Sequence, residues 1–349
     1  MDRHLRMGIA VAWLLLVPGA PVAAAPEDTE DATYSLDLFD DFVFDKDNQI
    51  TGGWTLSRHS EMAGDWSHFT GWLAPLGRMG RHIPTLSAPG LHYRYTLSLG
   101  QVIQTPNDLS RTDLVEDDVP YVGLLALQAA WYGYDDTRFR GFAVTAGVVG
   151  PASLAEQVQR SVHDITGDEE PKGWDHQLSN EPIINLTYQR KRKLWAGRTE
   201  GGWGADLALD GHGALGNLFI ALVGGVEMRL GYNLPGGFVP VADPLGYSMY
   251  YRALLRPPRP HRPSIYLSAV LRGNVVGRNL FLDGNTFTDS HRVDKEPFVG
   301  QLIVGAHFEY RSLAVRLQAF LTTDQVDTER FPAAASRDRY GIATLEWRF

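Results

Sequence analysis

The sequence predicts an all-β protein, an antiparallel transmembrane β-barrel of about twelve strands with a short helical insertion near residues 152–165. Three observations lead to this fold class. Apolar and polar residues alternate in many short segments, as in strands with one face toward lipid and one toward a lumen. The 36 Gly, 14 Tyr, 15 Phe and 9 Trp suit turns and aromatic girdles. Beyond the first 25 residues, no run of about 18 apolar residues predicts a membrane-spanning helix.

The segments with strand-like alternation are spread over the whole chain. They are Tyr34–Phe44, Ile50–Ser60, His92–Gln104, Tyr121–Trp131, Phe142–Val149, Ile183–Trp195, Gly202–Leu209, Leu218–Leu230, Ile265–Asn274, Gly300–Tyr310, Leu313–Leu321 and Ala343–Phe349. Tyr247–Leu255 could add a thirteenth strand, but the even strand number of bacterial barrels favours a loop there. Residues 61–91 have no clear period and predict a loop with an irregular strand or turn, and residues 236–262 predict a loop.

The first 25 residues have the pattern of a cleaved secretory signal. Arg3 and Arg6 precede an apolar run that ends at Pro18, and residues 23–25 are all Ala. The remaining chain, residues 26–349, is therefore expected to be one exported barrel domain. With 0 Cys it has no disulfides, and a formal net charge of −9 argues against nucleic acid as a partner. We expect a monomer in the outer membrane of a Gram-negative type of cell.

The polar stretch Gly147–Pro182 interrupts the strands and contains the candidate chemistry. Gln159 and His163 are four residues apart, so on a helix they share a face. A neutral imidazole there could take a proton from water, and the Gln159 amide could orient that water. From these residues alone, a solvated histidine on a surface helix is the favoured alternative.

A second set of residues offers oxygen ligands. Glu169, together with Asp41 and an oxygen near Thr51, could hold a hard divalent cation such as Ca²⁺. The alternative is an ordinary acidic turn at residues 167–170. The sequence contains no EF-hand spacing, HExxH motif or GxSxG elbow.

Several ordered motifs in this chain resemble the LpxR-type lipid A 3′-O-deacylase family of outer-membrane barrel enzymes. The matching segments are Phe39–Phe42 with Asp47 and Ile50–Gly53, Thr105-Pro106 through Pro120–Gly123, Gly147–Pro182 with its VGP, VQ, H, GD and GWD.Q..NEP residues, and Asn279–Phe287. Their common order and spacing make the set specific, although each motif alone is short.

The resemblance implies a twelve-stranded barrel with a hydrolytic site near the outer leaflet. It implies that a histidine acts as general base on water, that bound Ca²⁺ polarises the ester carbonyl, and that a basic side chain helps hold the oxyanion. The family's functional residues match the following positions: His163 and Gln159 for the base and its partner, Arg111 for the basic residue, and Asp40, Asp41, Thr51 and Glu169 on the metal side.

This chain departs from the family pattern at five places. Asp40 stands where the family usually has Asn, and Arg111 stands where it has Lys. Phe39 replaces an acidic residue, Ile50 replaces Tyr, and Val119 replaces Arg.

Three functions follow as hypotheses. The first is a Ca²⁺-dependent esterase that removes the 3′-linked acyloxyacyl chain of lipid A, with lipopolysaccharide as substrate. The second is a barrel esterase of the phospholipase A type acting on glycerophospholipids. The third is a non-catalytic outer-membrane barrel whose site has decayed.

Overall fold

The structure, a computed structural model, describes residues 31–40, 50–167, 170–242, 248–334 and 339–348, without the side chains of Asp40, Ile50, Thr51 and Thr166. Within these residues one closed antiparallel barrel is formed. Its strands are β1 Thr33–Asp40, β2 Ile50–His59, β3 His92–Gln104, β4 Val122–Tyr134, β5 Arg138–Val149, β6 Glu181–Arg198, β7 Trp203–Gly216, β8 Phe219–Tyr232, β9 Ser264–Asn279, β10 Phe298–Tyr310, β11 Leu313–Thr322 and β12 Arg339–Arg348.

The sheet closes where β1 pairs with β12, from Thr33 opposite Arg348 to Asp40 opposite Gly341. The predicted barrel and its strand order are confirmed, although several strands are longer than expected. β5 begins at Arg138 rather than Phe142 because the backbone of this arginine pairs with Arg192 of β6. The part of the first predicted strand beyond Asp40 lies outside the described residues.

Three short α-helices lie between strands: α1 Ala74–Arg78, α2 Ala155–Thr166 and α3 Leu280–Asp283. Single 3₁₀ turns form at Trp66–His68, Met79–His82, Pro151–Ser153, Trp174–His176 and Pro332–Ala334. The predicted helical insertion is confirmed as α2. Residues 61–91 are a loop with an isolated bridge between Ala63 and Tyr93, as predicted, and they also contain short helical turns. Trp66 and Phe69 of this loop pack onto the barrel in one buried cluster. No helix of the described residues is long and apolar enough to cross a membrane.

The two ends of the barrel differ in their connections. Residues 41–49, 105–121, 150–180, 217–218, 280–297 and 323–338 connect strands at one end, here called the loop end. The opposite end, here called the turn end, has the tight turns 135–137, 199–202 and 311–312 and the longer connections 60–91 and 233–263. Bacterial barrels place their tight turns in the periplasm, and on the basis of the three tight turns at the turn end we expect the loop end to face the cell exterior.

The inward faces of the strands are polar, and many of their charges are paired. Lys191 Nζ lies 2.6 Å from Glu227 Oε2, and Arg272 Nη2 lies 3.1 Å from Asp210 Oδ2. All four side chains are almost completely buried. Because an unpaired buried charge costs several kcal/mol, such pairing is required in a lumen without free access to water.

Part of the β8–β9 connection, residues 234–255, folds back into the lumen and is here called the lumen segment. The structure describes its residues 234–242 and 248–255. Its partners come from strands around the barrel: Thr55 Oγ1 donates to Tyr250, Gln128 accepts from Tyr250 N, Gln318 donates to Pro240 O, and Glu346 accepts from Arg252. Gly237 and Leu254 form one isolated bridge, so the described part of Tyr247–Leu255 is loop, as predicted.

Two apolar clusters fill the barrel. Toward the loop end, Val239 and Val241 of the lumen segment belong to one buried cluster with Phe39, Val102 and Val122 of the wall. Toward the turn end, Phe238 and Tyr251 of the same segment form another with Tyr132 and Phe139.

We predict that the intact protein forms no steady pore. In planar bilayers it should show no stable conductance, whereas replacing residues 237–254 by a short Gly-Ser linker should produce one. As a milder variant, Arg252→Ala removes one of the guanidinium partners of buried Glu346 and should destabilise the barrel by about 3–5 kcal/mol in thermal unfolding. Steady conductance of the unaltered chain would contradict this description of the lumen.

Candidate active site

The helix α2 packs on the outer face of the barrel wall at the loop end. In β3 the side chains of Arg94, Thr96 and Ser98 are buried toward the lumen. Because side chains alternate along a strand, the odd-numbered Gln101 and Ile103 face outward. Ile103 is buried in one cluster with Ala155 of α2. Gln101 Nε2 donates to the Ser153 carbonyl at 2.7 Å, which ties the strand to the turn before the helix.

Two glycines of the family motifs allow this close packing. A Cβ atom added at Gly123 on β4 would lie 2.3 Å from the Ala155 Cβ, and one at Gly173 would lie 2.5 Å from the Tyr121 ring. Both distances are far shorter than a van der Waals contact. Only glycine therefore lets α2 and the following loop approach β4 this closely.

Gln159 lies on the buried side of α2, next to the wall. Trp174 Nε1 donates to Gln159 Oε1 at 2.9 Å, and the Trp174 ring packs against Tyr121 with 5.1 Å between centroids. The Gln159 Nε2 atom is buried and has no hydrogen-bond partner among the described residues. The amide is thus held through its oxygen, and its N–H groups are available to a further acceptor.

His163 lies one turn after Gln159, on the same side of α2, and is half-buried. The helix ends one turn later, where Gly167, at φ +78°, donates its N–H to the His163 carbonyl. Val162 and Ile165 in the same last turns are exposed apolar side chains. His163 therefore lies beside a buried polar side chain and beside exposed apolar side chains of the kind that contact lipid.

Of the four residues expected to hold the metal, the structure describes the backbone of two. Asp40 ends β1 and Thr51 lies near the start of β2, and these paired strands adjoin β3, which carries α2. Asp41 and Glu169 lie outside the described residues, as do the side chains of Asp40 and Thr51. Among the described side chains, no group of three or more His, Asp or Glu could hold a metal. By chemistry, the four named residues are oxygen donors, the ligand class that Ca²⁺ prefers.

Arg111 lies in the 105–121 loop, next to the α2 loop but exposed to solvent. On either side of it, the Leu109 carbonyl accepts from Lys172 N, and the Thr112 carbonyl contacts His176 Nε2. Its own guanidinium is paired with Asp113 at 2.5 Å, and this hydrogen-bonded pair holds the pKa of the Asp113 carboxyl below its usual value. The loops of Arg111 and α2 are thus neighbours, while the Arg111 side chain is bound to Asp113.

Two further residues position these loops and were not singled out from the sequence. Asp118 accepts the N–H of Asn107 at 2.8 Å and of Val119 at 2.7 Å, so one carboxylate joins both ends of the 105–121 loop. Burial nevertheless raises the pKa of Asp118 above its usual value. Gln101 could have been noticed as a polar residue on the face of β3 that otherwise presents tyrosine and leucine.

The remaining motifs hold the loop end together. Glu181 Oε2 accepts from Asn285 Nδ2 and from Thr286 N, while Asn285 Oδ1 accepts from Ser179 N. Asn180 Oδ1 accepts from Ala152 N just before α2. The NEP and DGNTF motifs, distant in sequence, therefore support the α2 loop through one hydrogen-bonded network.

Comparison with known proteins identifies the family and supports the barrel fold. The family model described as "Outer membrane protein LpxR" matches residues 9–349. LpxR from Salmonella typhimurium has a similar structure, with a TM-score of 0.70 and 17% identity over 91% of this chain and 100% of that one. The β-domain of the Bordetella autotransporter BrkA is less similar, with a TM-score of 0.45 and 10% identity over 92% and 100% of the two chains. No curated protein matches the sequence significantly.

We predict that Gly123→Ala displaces α2 from the wall, because the new methyl group would overlap Ala155. Overpacking of this kind costs about 1–3 kcal/mol. Limited proteolysis should cut residues 150–180 faster in this variant, while the barrel keeps its folded mobility on gels. The matched control is Gly224→Ala, where an added Cβ meets no atom within 4 Å. Equal cleavage of both variants would contradict the proposed role of Gly123.

Proposed function

The chain belongs to the LpxR family of outer membrane proteins, a family of lipid A deacylases, and we propose on that premise that it hydrolyses the 3′-linked acyloxyacyl ester of lipid A. Lipid A occupies the outer leaflet of the outer membrane. The observation that carries the proposal is the position of α2, which holds Gln159 and His163 against the outside of the wall at the loop end. A membrane lipid can reach this position laterally.

His163 would act as the general base. Its imidazole takes a proton from water while the water oxygen bonds to the ester carbonyl carbon, and the ester C–O bond then breaks. The released sugar oxygen takes up the proton held by the imidazolium, and the products are an acyloxyacyl carboxylic acid and a free 3′-hydroxyl. Gln159, held by Trp174 through its oxygen, would use its amide N–H groups to orient the water or the ester.

Ca²⁺ would be held by Asp40, Asp41, Thr51 and Glu169, where it would polarise the ester carbonyl. Arg111 would add a second positive charge near the oxyanion. That role requires Arg111 to exchange its exposed pair with Asp113 for the substrate, and solvent already screens such a pair.

Two of the family departures have local explanations that do not involve the site. Phe39 is buried with Val102 and Val122 in the apolar core inside the barrel. Val119 is buried between the loops, in a cluster with Leu282 and Val293. Apolar residues at these two positions therefore fill apolar surroundings, which argues against reading them as signs of a decayed site.

We predict that His163→Ala lowers lipid A deacylation by about 10²–10⁴-fold while the barrel still folds. The readout is the mass loss of lipid A from outer membranes that contain the variant. Arg160→Ala is the control on the same helix, since Arg160 is exposed and paired with Glu156. Full activity of His163→Ala would refute the assignment of the base.

The mass spectra also separate the alternative substrates. Glycerophospholipids from the same membranes should be unchanged by the active protein. Release of lysophospholipid with intact lipid A would instead assign the site to a phospholipase A type of reaction.

We predict that chelation abolishes deacylation and that added Ca²⁺ restores it. Asp41→Ala should lose activity and should no longer gain thermal stability from Ca²⁺, because a ligand stabilises only the fold that binds it. Asp289→Ala, in the loop between β9 and β10, serves as the control for removing one loop carboxylate. Undiminished activity in chelator would exclude the proposed metal.

A further inference from the structure

The outer wall carries four arginines at the turn end of β5 and β6. In the register, Arg138 lies opposite Arg192 and Arg140 lies opposite Arg190. We call these residues the arginine square. Directly opposite side chains have their Cβ atoms about 4.5–5.5 Å apart, so four guanidinium groups share one small patch. Like charges in such positions repel each other, and the arrangement therefore favours an anionic ligand.

The alternation of both strands places this square on the outside of the barrel. Phe139 and Lys191, which alternate with the arginines, are buried toward the lumen. The next outward pair toward the loop end is Phe142 and Tyr188, and the pair after it is Val144 and Leu186. On β5 the apolar, lipid-facing residues end at the square, and on β6 the exposed Leu194 and Trp195 follow Arg192 toward the turn end. An exposed tryptophan at this place is typical of the level of lipid headgroups.

The positive charge of the square is mostly uncompensated. Arg138 pairs with Asp135 at 2.6 Å, and Arg140 Nη1 donates to the Thr85 carbonyl at 2.9 Å. The side chains of Arg190 and Arg192 are exposed, and their guanidinium groups make no hydrogen bond or ion pair with any residue that the structure describes. Four cationic groups are therefore matched by one carboxylate.

The connection of residues 60–91, here called the wall segment, borders the square. It lies on the outer face of the wall, where it buries Tyr93, and its Thr85 hydroxyl is 2.8 Å from the Tyr188 hydroxyl. Trp72 of this segment is 85% exposed. A tryptophan exposed beside a lipid-facing wall is typical of a membrane interface.

We propose that the arginine square binds the phosphate groups of an anionic glycerophospholipid in the leaflet at the turn end. Arginine is suited to this role because its planar fork can bind phosphate oxygens through two hydrogen bonds. The excess of positive charge fits a lipid with two phosphodiesters, such as cardiolipin, better than a lipid with none or one. The adjacent apolar band and Trp72 would contact its acyl chains, which free phosphate lacks.

The test compares the full-length protein with Arg190→Gln/Arg192→Gln, whose altered side chains have no described partner to lose. Purified protein in detergent is mixed with cardiolipin, phosphatidylcholine or inorganic phosphate, and bound lipid is measured by native mass spectrometry. We expect the unaltered protein to retain cardiolipin in preference to phosphatidylcholine. The double variant should bind cardiolipin about 10- to 30-fold more weakly, given the typical contribution of a basic residue at an anionic membrane surface.

The matched control is Arg198→Gln/Arg311→Gln, which removes the same charge from the turn end outside the square. It should retain cardiolipin like the unaltered protein. Equal losses in both double variants, or equal retention of phosphatidylcholine and cardiolipin, would overturn the proposal. Full competition by millimolar inorganic phosphate, or recovery of an acidic polypeptide in place of lipid, would also contradict it.

Discussion

The closure of the sheet between β1 and β12 is the constraint on which the rest of the structure depends. Closure pairs the strand backbones all around the wall, which a membrane requires because lipid offers no hydrogen bonds. It also gives the wall two faces with opposite demands. The outer face must be apolar across the bilayer, and every polar group that faces inward must find a partner inside the protein.

The lumen meets its demand by pairing and by filling. Buried ions are tolerated because nearby strands contribute opposite charges, as Lys191 of β6 and Glu227 of β8 do. The lumen segment adds Arg252, which reaches both Glu346 and Glu309. Removing such an ion pair entirely could cost little, whereas removing one partner leaves a buried charge. The paired charges of the interior therefore depend on one another for their stability.

The sequence predicted the wall well and the added layers poorly. Alternation located all strands, because a strand between lipid and a polar lumen must alternate. It missed the start of β5, since the outward residues there are Arg138 and Arg140 instead of apolar residues. Family motifs led to Gln159 and His163, but periodicity alone could not reveal that α2 packs on the outer face. That position depends on Gly123 and Gln101, whose importance arises from contacts distant in sequence.

Both elements that lie outside the barrel rest on the same part of the wall. α2 covers β3 and β4 at the loop end, and the wall segment covers them at the turn end. Between the two, Leu99 and Leu127 remain exposed. Each covering element replaces lipid by protein in one leaflet, so each is positioned to bind the headgroup chemistry of that leaflet. The barrel would thereby support the proposed active site in one leaflet and the proposed lipid site in the other.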